Sequence, residues 1–257
     1  MRTGSSLLSR CIDDHPEAIC LCESEINRTL FPPHALRLHH DRMRGHGLES
    51  AEIVRLLDGK PHHSVESWQQ WYAEAAPLLC DRLDKPDARI LGDKSPDFFM
   101  APALIDAIAP RMPLIYTVRD PRAILRSIWR QTDADEPQKE ERWQFFLQNI
   151  LAWRPHWNQP NMLMSRYEDM VRDPLAAMER VYFHLGLAPS TRFLEPFERR
   201  YPRRFLWNTA IDWRSGIHKE FDPSRAAIGD EDLTAAERER IWSDAEVRGF
   251  MERFGYG

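Results

Sequence analysis

Residues 114–130 read LIYTVRDPRAILRSIWR, and their periodicity changes in the middle. Leu114, Ile115, Tyr116, Thr117 and Val118 are an unbroken run of aliphatic, aromatic and β-branched side chains. Such a run predicts a strand buried on both faces of a parallel sheet, and so a central strand. Arg119 ends the run, Asp120 can cap a helix, and Pro121 fits the first helical position, where its missing N–H costs nothing. The strand is therefore expected to turn directly into a helix. Ile124, Leu125 and Ile128 share that helix's apolar face, while Asp120, Ala123 and Ser127 fall on another side at spacings of three and four, so Ser127 looks back towards Arg119. An arginine at the carboxyl end of a strand, beside a hydroxyl and a helix N-terminus, suits a phosphate. The same residues would also make an ordinary strand-to-helix turn in which Arg119 pairs with Asp120.

Working outward, the alternation of strand and helix repeats. Gly4 gives a turn, Ser5 to Asp13 reads as a helix, and Ala18 to Cys22 is an apolar strand that delivers Glu23 to the carboxyl edge of a sheet. The stretch from there to about His46 reads as loop, with Pro32-Pro33 and His34, His39, His40 and His46 facing solvent or substrate. Helices are expected over 49–57 and 64–83. Arg89-Ile90-Leu91 reads as a short strand, Gly92 to Pro96 as a turn carrying Lys94, and 98–108 as a helix. Beyond the central unit come a helix over 138–153, a strand over 161–165, a helix over 174–185 ended by Gly186, and helices from Leu233 to Phe254. This order predicts an α/β fold: a parallel sheet flanked by helices, forming a single domain over residues 1–257.

Composition sets bounds on function. The 257 residues are 42% hydrophobic and 29% charged, as expected of a globular protein. No apolar run approaches the roughly 20 residues that span a bilayer, and the first residues do not read as a signal peptide. A net charge of −5 argues against broad nucleic-acid binding, so any anion site must be local. The four cysteines, Cys11, Cys20, Cys22 and Cys80, do not form a disulfide framework or a zinc-site pattern, which points to a reducing cytoplasm and no metal. Residues 199–221 are locally basic, with Arg214, His218 and Lys219 interleaved with Trp207 and Trp213. They read either as a solvated loop or as a lid that closes over a nucleotide.

The segment VRDPRAILRS, residues 118–127, resembles the one with which sulfotransferases hold the 3′-phosphate of 3′-phosphoadenosine 5′-phosphosulfate (PAPS). By position the resemblance makes Arg119 and Ser127 the phosphate contacts. The family's other signature, Arg/Lys-Ser-Gly-Thr-Thr-Leu, holds the 5′-phosphosulfate, and Arg2-Thr3-Gly4-Ser5-Ser6-Leu7 is similar to it. The implied sheet is P-loop-like. A strand precedes such a loop, but Met1 stands one residue before Arg2, so the first strand is missing and an apolar strand upstream is expected. Arg214-Ser215-Gly216 loosely resembles an Arg-Lys-Gly that touches the 3′-phosphate in cytosolic members, which adds Arg214 to the cofactor-binding set. In the tyrosylprotein sulfotransferases a His-Pro precedes a catalytic glutamate, and the spacing from His15-Pro16 to Glu23 matches. Their Asn-Lys-Asp-Pro falls opposite Asp93-Lys94-Ser95-Pro96, whereas their arginine two positions beyond the glutamate is Glu25 here.

The resemblance thus implies in-line transfer of a sulfonate group from PAPS to a hydroxyl or amine on a small-molecule, carbohydrate or peptide acceptor. Glu23 would be the general base, and Lys94 and Arg2 would be cations for the charge that develops on the leaving phosphate. Two other readings stay open. A P-loop kinase would need the Gly-Lys-Ser/Thr that this loop lacks. A non-catalytic nucleotide-binding or interaction domain would bind 3′,5′-adenosine bisphosphate without turnover.

Overall fold

The computed structural model describes residues 3–27, 36–61, 64–131, 135–195, 221–226 and 233–257. Their contacts divide the chain into two compact units. One unit is Ser6–Ala107 with Leu185–Glu220, and the other is Met1–Ser5, Ile108–His184 and Phe221–Gly257.

The first unit is built on α1 (Ser5–Asp13) and β1 (Ala18–Cys22), followed by α2 (Leu36–Gly45), α3 (Ser50–Leu57), α4 (Val65–Arg82), β2 (Ile90–Lys94) and α5 (Pro102–Ile108). All five residues of β1 are buried, as its unbroken apolar run requires. β1 pairs in parallel with β2, Ala18 opposite Ile90 and Cys22 opposite Lys94. The strand over Arg89 to Leu91 is thus displaced: β2 runs on to Lys94, which ends the strand instead of sitting in the turn. Ile19 and Leu21 pack in a core with Ile53, Leu56, Trp71 and Leu79, all nearly inaccessible. Each such side chain contributes roughly 1.5–3 kcal/mol on burial. Lys85, just beyond α4, sends its ammonium to the backbone oxygens of Asp13, of His15 at 3.3 Å and of Ala18 at 2.6 Å. It thereby satisfies the Asp13 carbonyl, which the end of α1 leaves without a helical partner, and ties it to the turn ahead of β1.

α2 corrects the loop expected up to His46. His39, Met43 and His46 are buried, at spacings of four and three along the helix and the turn that closes it. Two histidines therefore take core positions instead of facing solvent. His34 lies outside the described residues.

The second unit contains β3 (Leu114–Val118), α6 (Pro121–Gln131), α7 (Glu136–Trp153), β4 (Met162–Arg166), α8 (Tyr167–Arg172), α9 (Pro174–His184), α10 (Ala235–Ser243) and α11 (Ala245–Phe254). β3 pairs in parallel with β4, Leu114 opposite Met162 and Val118 opposite Arg166. The sequence puts β3 between two neighbours. Among the described residues it pairs with β4 alone, and Leu114, Ile115 and Thr117 are only partly covered. The Tyr116 hydroxyl donates to Asn149 Oδ1 at 2.7 Å, so the polar end of this buried ring is satisfied from α7. Asp135, Thr234 and Asp244 cap α7, α10 and α11 through their side chains, the local chemistry that starts each helix where it does. The fold is mixed α/β and mostly helical. Its strand pairing is parallel, as expected, and among the described residues it is carried by two short pairs, one in each unit.

Candidate active site

Thr3 is buried, and its Oγ1 shares a 2.6 Å hydrogen bond with Oγ1 of Thr117 on β3. This bond ties the start of the glycine loop to the strand that carries Arg119. Gly4 has φ +80°, in the left-handed region that favours glycine. A Cβ at Gly4 would lie 2.3 Å from Cδ2 of Tyr167, so the tyrosine ring fills the space a side chain would need. The guanidinium carbon of Arg119 stands 4.2 Å from the centroid of the same ring, within cation–π range. Tyr167 thus joins the two motifs that the sequence treats separately. α1 begins at Ser5, so the amides of Ser5, Ser6 and Leu7 belong to its first turn and carry the N–H groups that a helix leaves for an anion.

Behind Arg119 the turn is braced. Asp120 does cap α6: its Oδ1 accepts the N–H of Arg122 at 2.8 Å, and its C=O accepts that of Ile124 at 3.1 Å. The ion partner of Asp120 is Arg122 at 2.6 Å, not Arg119. The buried carboxylate of Glu168 accepts the N–H of Asp120 at 3.1 Å and the hydroxyl of Tyr256 at 2.7 Å. Arg122 also donates to the Tyr256 carbonyl at 3.0 Å, and the Arg166 guanidinium lies 4.7 Å from the Tyr256 ring centroid. Ser127 is half-buried in the second turn of α6. Sequence reasoning gives Tyr167, Glu168 and Tyr256 no part in the site. No pattern within the chain signals them, because their partners are far away in sequence.

In the other unit, Glu23 follows β1 and Lys94 ends β2. The parallel register brings them together: the N–H of Glu23 donates to the Lys94 carbonyl at 2.8 Å, and the Lys94 ammonium forms an ion pair with Glu23 Oε1. Arg42 of α2 approaches Glu23 Oε2 at 3.8 Å. It is a cation that sequence reasoning missed, because it falls in the stretch read as loop. The side chains of Glu23, Lys94 and Arg42 are only 10–12% exposed. Two cations beside one carboxylate favour its charged form, the form that can accept a proton. His39 is no rival base. It is inaccessible, its Nδ1–H donates to the Ser24 carbonyl at 2.6 Å, and burial pushes its pKa down to about 4. His15, from the His-Pro pair, accepts the Glu17 N–H at Nδ1 and donates from Nε2 to the Ala188 carbonyl at 2.9 Å, which fixes the turn ahead of β1.

Arg2 and Arg214 lie outside the described residues, as does residues 199–220 of the expected lid. Among the described residues no group of three or more histidine, cysteine or carboxylate side chains is placed to hold a metal, and no helix is long and apolar enough to cross a membrane.

A family model described as the sulfotransferase family matches residues 1–191. The fold is similar to the sulfotransferase domain of the Synechococcus PCC 7002 olefin synthase, at 21% identity and TM-score 0.61, covering 100% of this chain and 92% of that one. It is also similar to the sulfotransferase domain from the curacin biosynthetic pathway, at 15% identity and TM-score 0.64, covering 100% and 95%. A third similar structure is sulfotransferase STF9 from Mycobacterium avium, at 15% identity and TM-score 0.51, covering 98% and 74%. No curated protein matches the chain.

Proposed function

The chain belongs to the sulfotransferase family, and on that premise we propose that it transfers a sulfonate group from PAPS to a hydroxyl or amine acceptor. The observation that carries the choice of donor is the Gly4–Tyr167–Arg119 arrangement. The Tyr167 ring packs where a side chain on Gly4 would stand, and so holds the glycine loop beside an arginine at a strand end. This fits a ligand with phosphates at two positions, bound by backbone N–H groups at one and by a guanidinium at the other.

When bound, PAPS supplies an activated sulfonate whose bond to the 5′-phosphate breaks as the bond to the acceptor forms. The rest falls to the chain. Arg119, with Ser127 and Arg214, holds the 3′-phosphate, while Arg2 and the amides of the Thr3–Leu7 loop hold the 5′-group. Glu23 accepts the acceptor's proton, and Lys94 offers positive charge from the adjoining strand end. The acceptor class spans small molecules, carbohydrates and peptides, the domain is the whole of residues 1–257, and the compartment is the cytoplasm.

The test supplies PAPS labelled in its sulfonate together with an acceptor library, and identifies products by mass spectrometry. Labelled ester or sulfamate with release of 3′,5′-adenosine bisphosphate is expected. Tight binding of the bisphosphate with no labelled product from any acceptor class would overturn transfer in favour of a binding domain, and transfer from ATP with magnesium would overturn the donor.

A further inference from the structure

Glu23 and Glu25 both have left-handed backbones, at φ +60° and +62°. Glutamate adopts this conformation unfavourably, and it persists only where the surroundings over-determine it. The residue between them is Ser24, which is fully inaccessible. Its N–H donates to Asp93 Oδ1 at 3.1 Å, and its hydroxyl donates to Asp93 Oδ2 at 2.6 Å while accepting the Ile26 N–H at 3.3 Å. Its carbonyl accepts from His39 Nδ1 at 2.6 Å. Ser24 is thus gripped from β2 by one residue and from α2 by another.

Asp93 immediately precedes Lys94 on β2, and successive side chains of a strand point to opposite faces. The face that carries Lys94 meets Glu23, and the face that carries Asp93 meets Ser24. One strand end therefore holds both the side chain of Glu23 and the backbone that bears it. Asp93 also accepts from the Tyr72 hydroxyl at 3.4 Å. The charged and titratable groups that act on it are Lys94, Glu23, Tyr72 and Cys20.

We propose that Asp93 and His39, acting through Ser24, are positioning residues that hold the Glu23 carboxylate in its strained turn against Lys94. The proposal rests on the reading of Glu23 as the general base. Neutral His39 suits the role. With its charged form disfavoured by burial, it serves as a fixed donor, and the Trp71 ring 5.4 Å away adds an aromatic edge contact.

The experiment compares Ser24→Ala and Asp93→Asn with Glu23→Gln and with the unaltered protein, all in the full chain. It reads kcat, affinity for 3′,5′-adenosine bisphosphate, and the Glu23 side-chain carboxyl signal in ¹³C-glutamate NMR, identified by its loss in Glu23→Gln. A small misplacement of a reacting group costs up to about 10²-fold in rate. Ser24→Ala and Asp93→Asn are expected to lower kcat by about ten- to a hundredfold, leave bisphosphate affinity unchanged and shift the carboxyl signal. Unchanged kcat and an unmoved signal in Ser24→Ala and Asp93→Asn would overturn the proposal. Full turnover by Glu23→Gln would instead overturn the base assignment, and the carboxyl signal alone would then decide the clamp. If both clamp variants fail to fold, amide exchange at Ser24 in the unaltered protein decides: strong protection supports the clamp, and exchange at the rate of an open loop overturns it.

Discussion

Gly4 is constrained twice, by its left-handed φ and by the Tyr167 ring where a side chain would go. Gly4→Ala should therefore lower stability by roughly 1–3 kcal/mol from the clash alone. It should also weaken donor binding, since the ring it displaces supports Arg119. Denaturant melts and calorimetry with 3′,5′-adenosine bisphosphate check both effects. Arg119→Ala keeps the loop but removes the guanidinium. A charge-assisted hydrogen bond contributes about 1.5–3 kcal/mol, so bisphosphate affinity should drop about ten- to a hundredfold with the fold intact. Unaltered affinity by calorimetry would remove Arg119 from the site. Both residues can be found in the sequence because each sits in a local pattern: a glycine beside hydroxyls, and an arginine ending an apolar run. Tyr167, which joins them, has no such pattern, because its role comes from contacts with residues far away in the chain.

At the scale of elements, β2 and α2 carry opposite titrations. Burial raises the carboxyl of Asp93 from 3.8 to about 6. The native state thus keeps a proton that the unfolded chain releases between those values, and this contribution to stability is full below 3.8 and lost as pH rises through 6. Burial lowers His39 from 6.5 to about 4. Its contribution is full above 6.5 and is lost as pH falls through 4. Between about pH 4 and 6 the two slopes offset each other. Asp93→Asn should therefore make stability climb more steeply with pH in that window than in the parent chain, and His39→Asn should tilt it downward. Denaturant melts at closely spaced pH values measure the slopes, and one slope shared by all three proteins would refute the assignment. The elements themselves differ in how easily they are read. β1 and β3 stand out as apolar runs. α2, LRLHHDRMRG, is hidden because its buried positions include His39, which hydropathy counts as polar although the fold uses it as a neutral core donor.

Across the whole molecule, periodicity shows that strands exist but not which strands pair. Among the described residues, α2, α3 and α4 lie between β1 and β2 in sequence, and α6 and α7 between β3 and β4. The meeting of Glu23 with Lys94 is half legible, since Glu23 was expected at a strand end and Lys94 in the turn after one, but the register that joins them is not. Long-range ties act in the same way in the other unit. There Tyr256, beyond α11, reaches the Glu168 carboxylate, which also holds the turn after Arg119. Tyr256→Phe removes a hydrogen-bond donor from a buried acceptor, and should lower stability by about 1.5–3 kcal/mol in denaturant melts. No change would show that another group satisfies the oxygen. The ammonium of Lys85, closed in among the oxygens of Asp13, His15 and Ala18, has a practical consequence. An acylating reagent needs the free amine, which forms only after those bonds open and the proton leaves, so pulse acylation read by mass spectrometry should modify Lys85 far more slowly in the native protein than in the denatured chain. The Lys85 rate then serves as a clock for the opening of α1 and β1, the two elements that lead to Glu23.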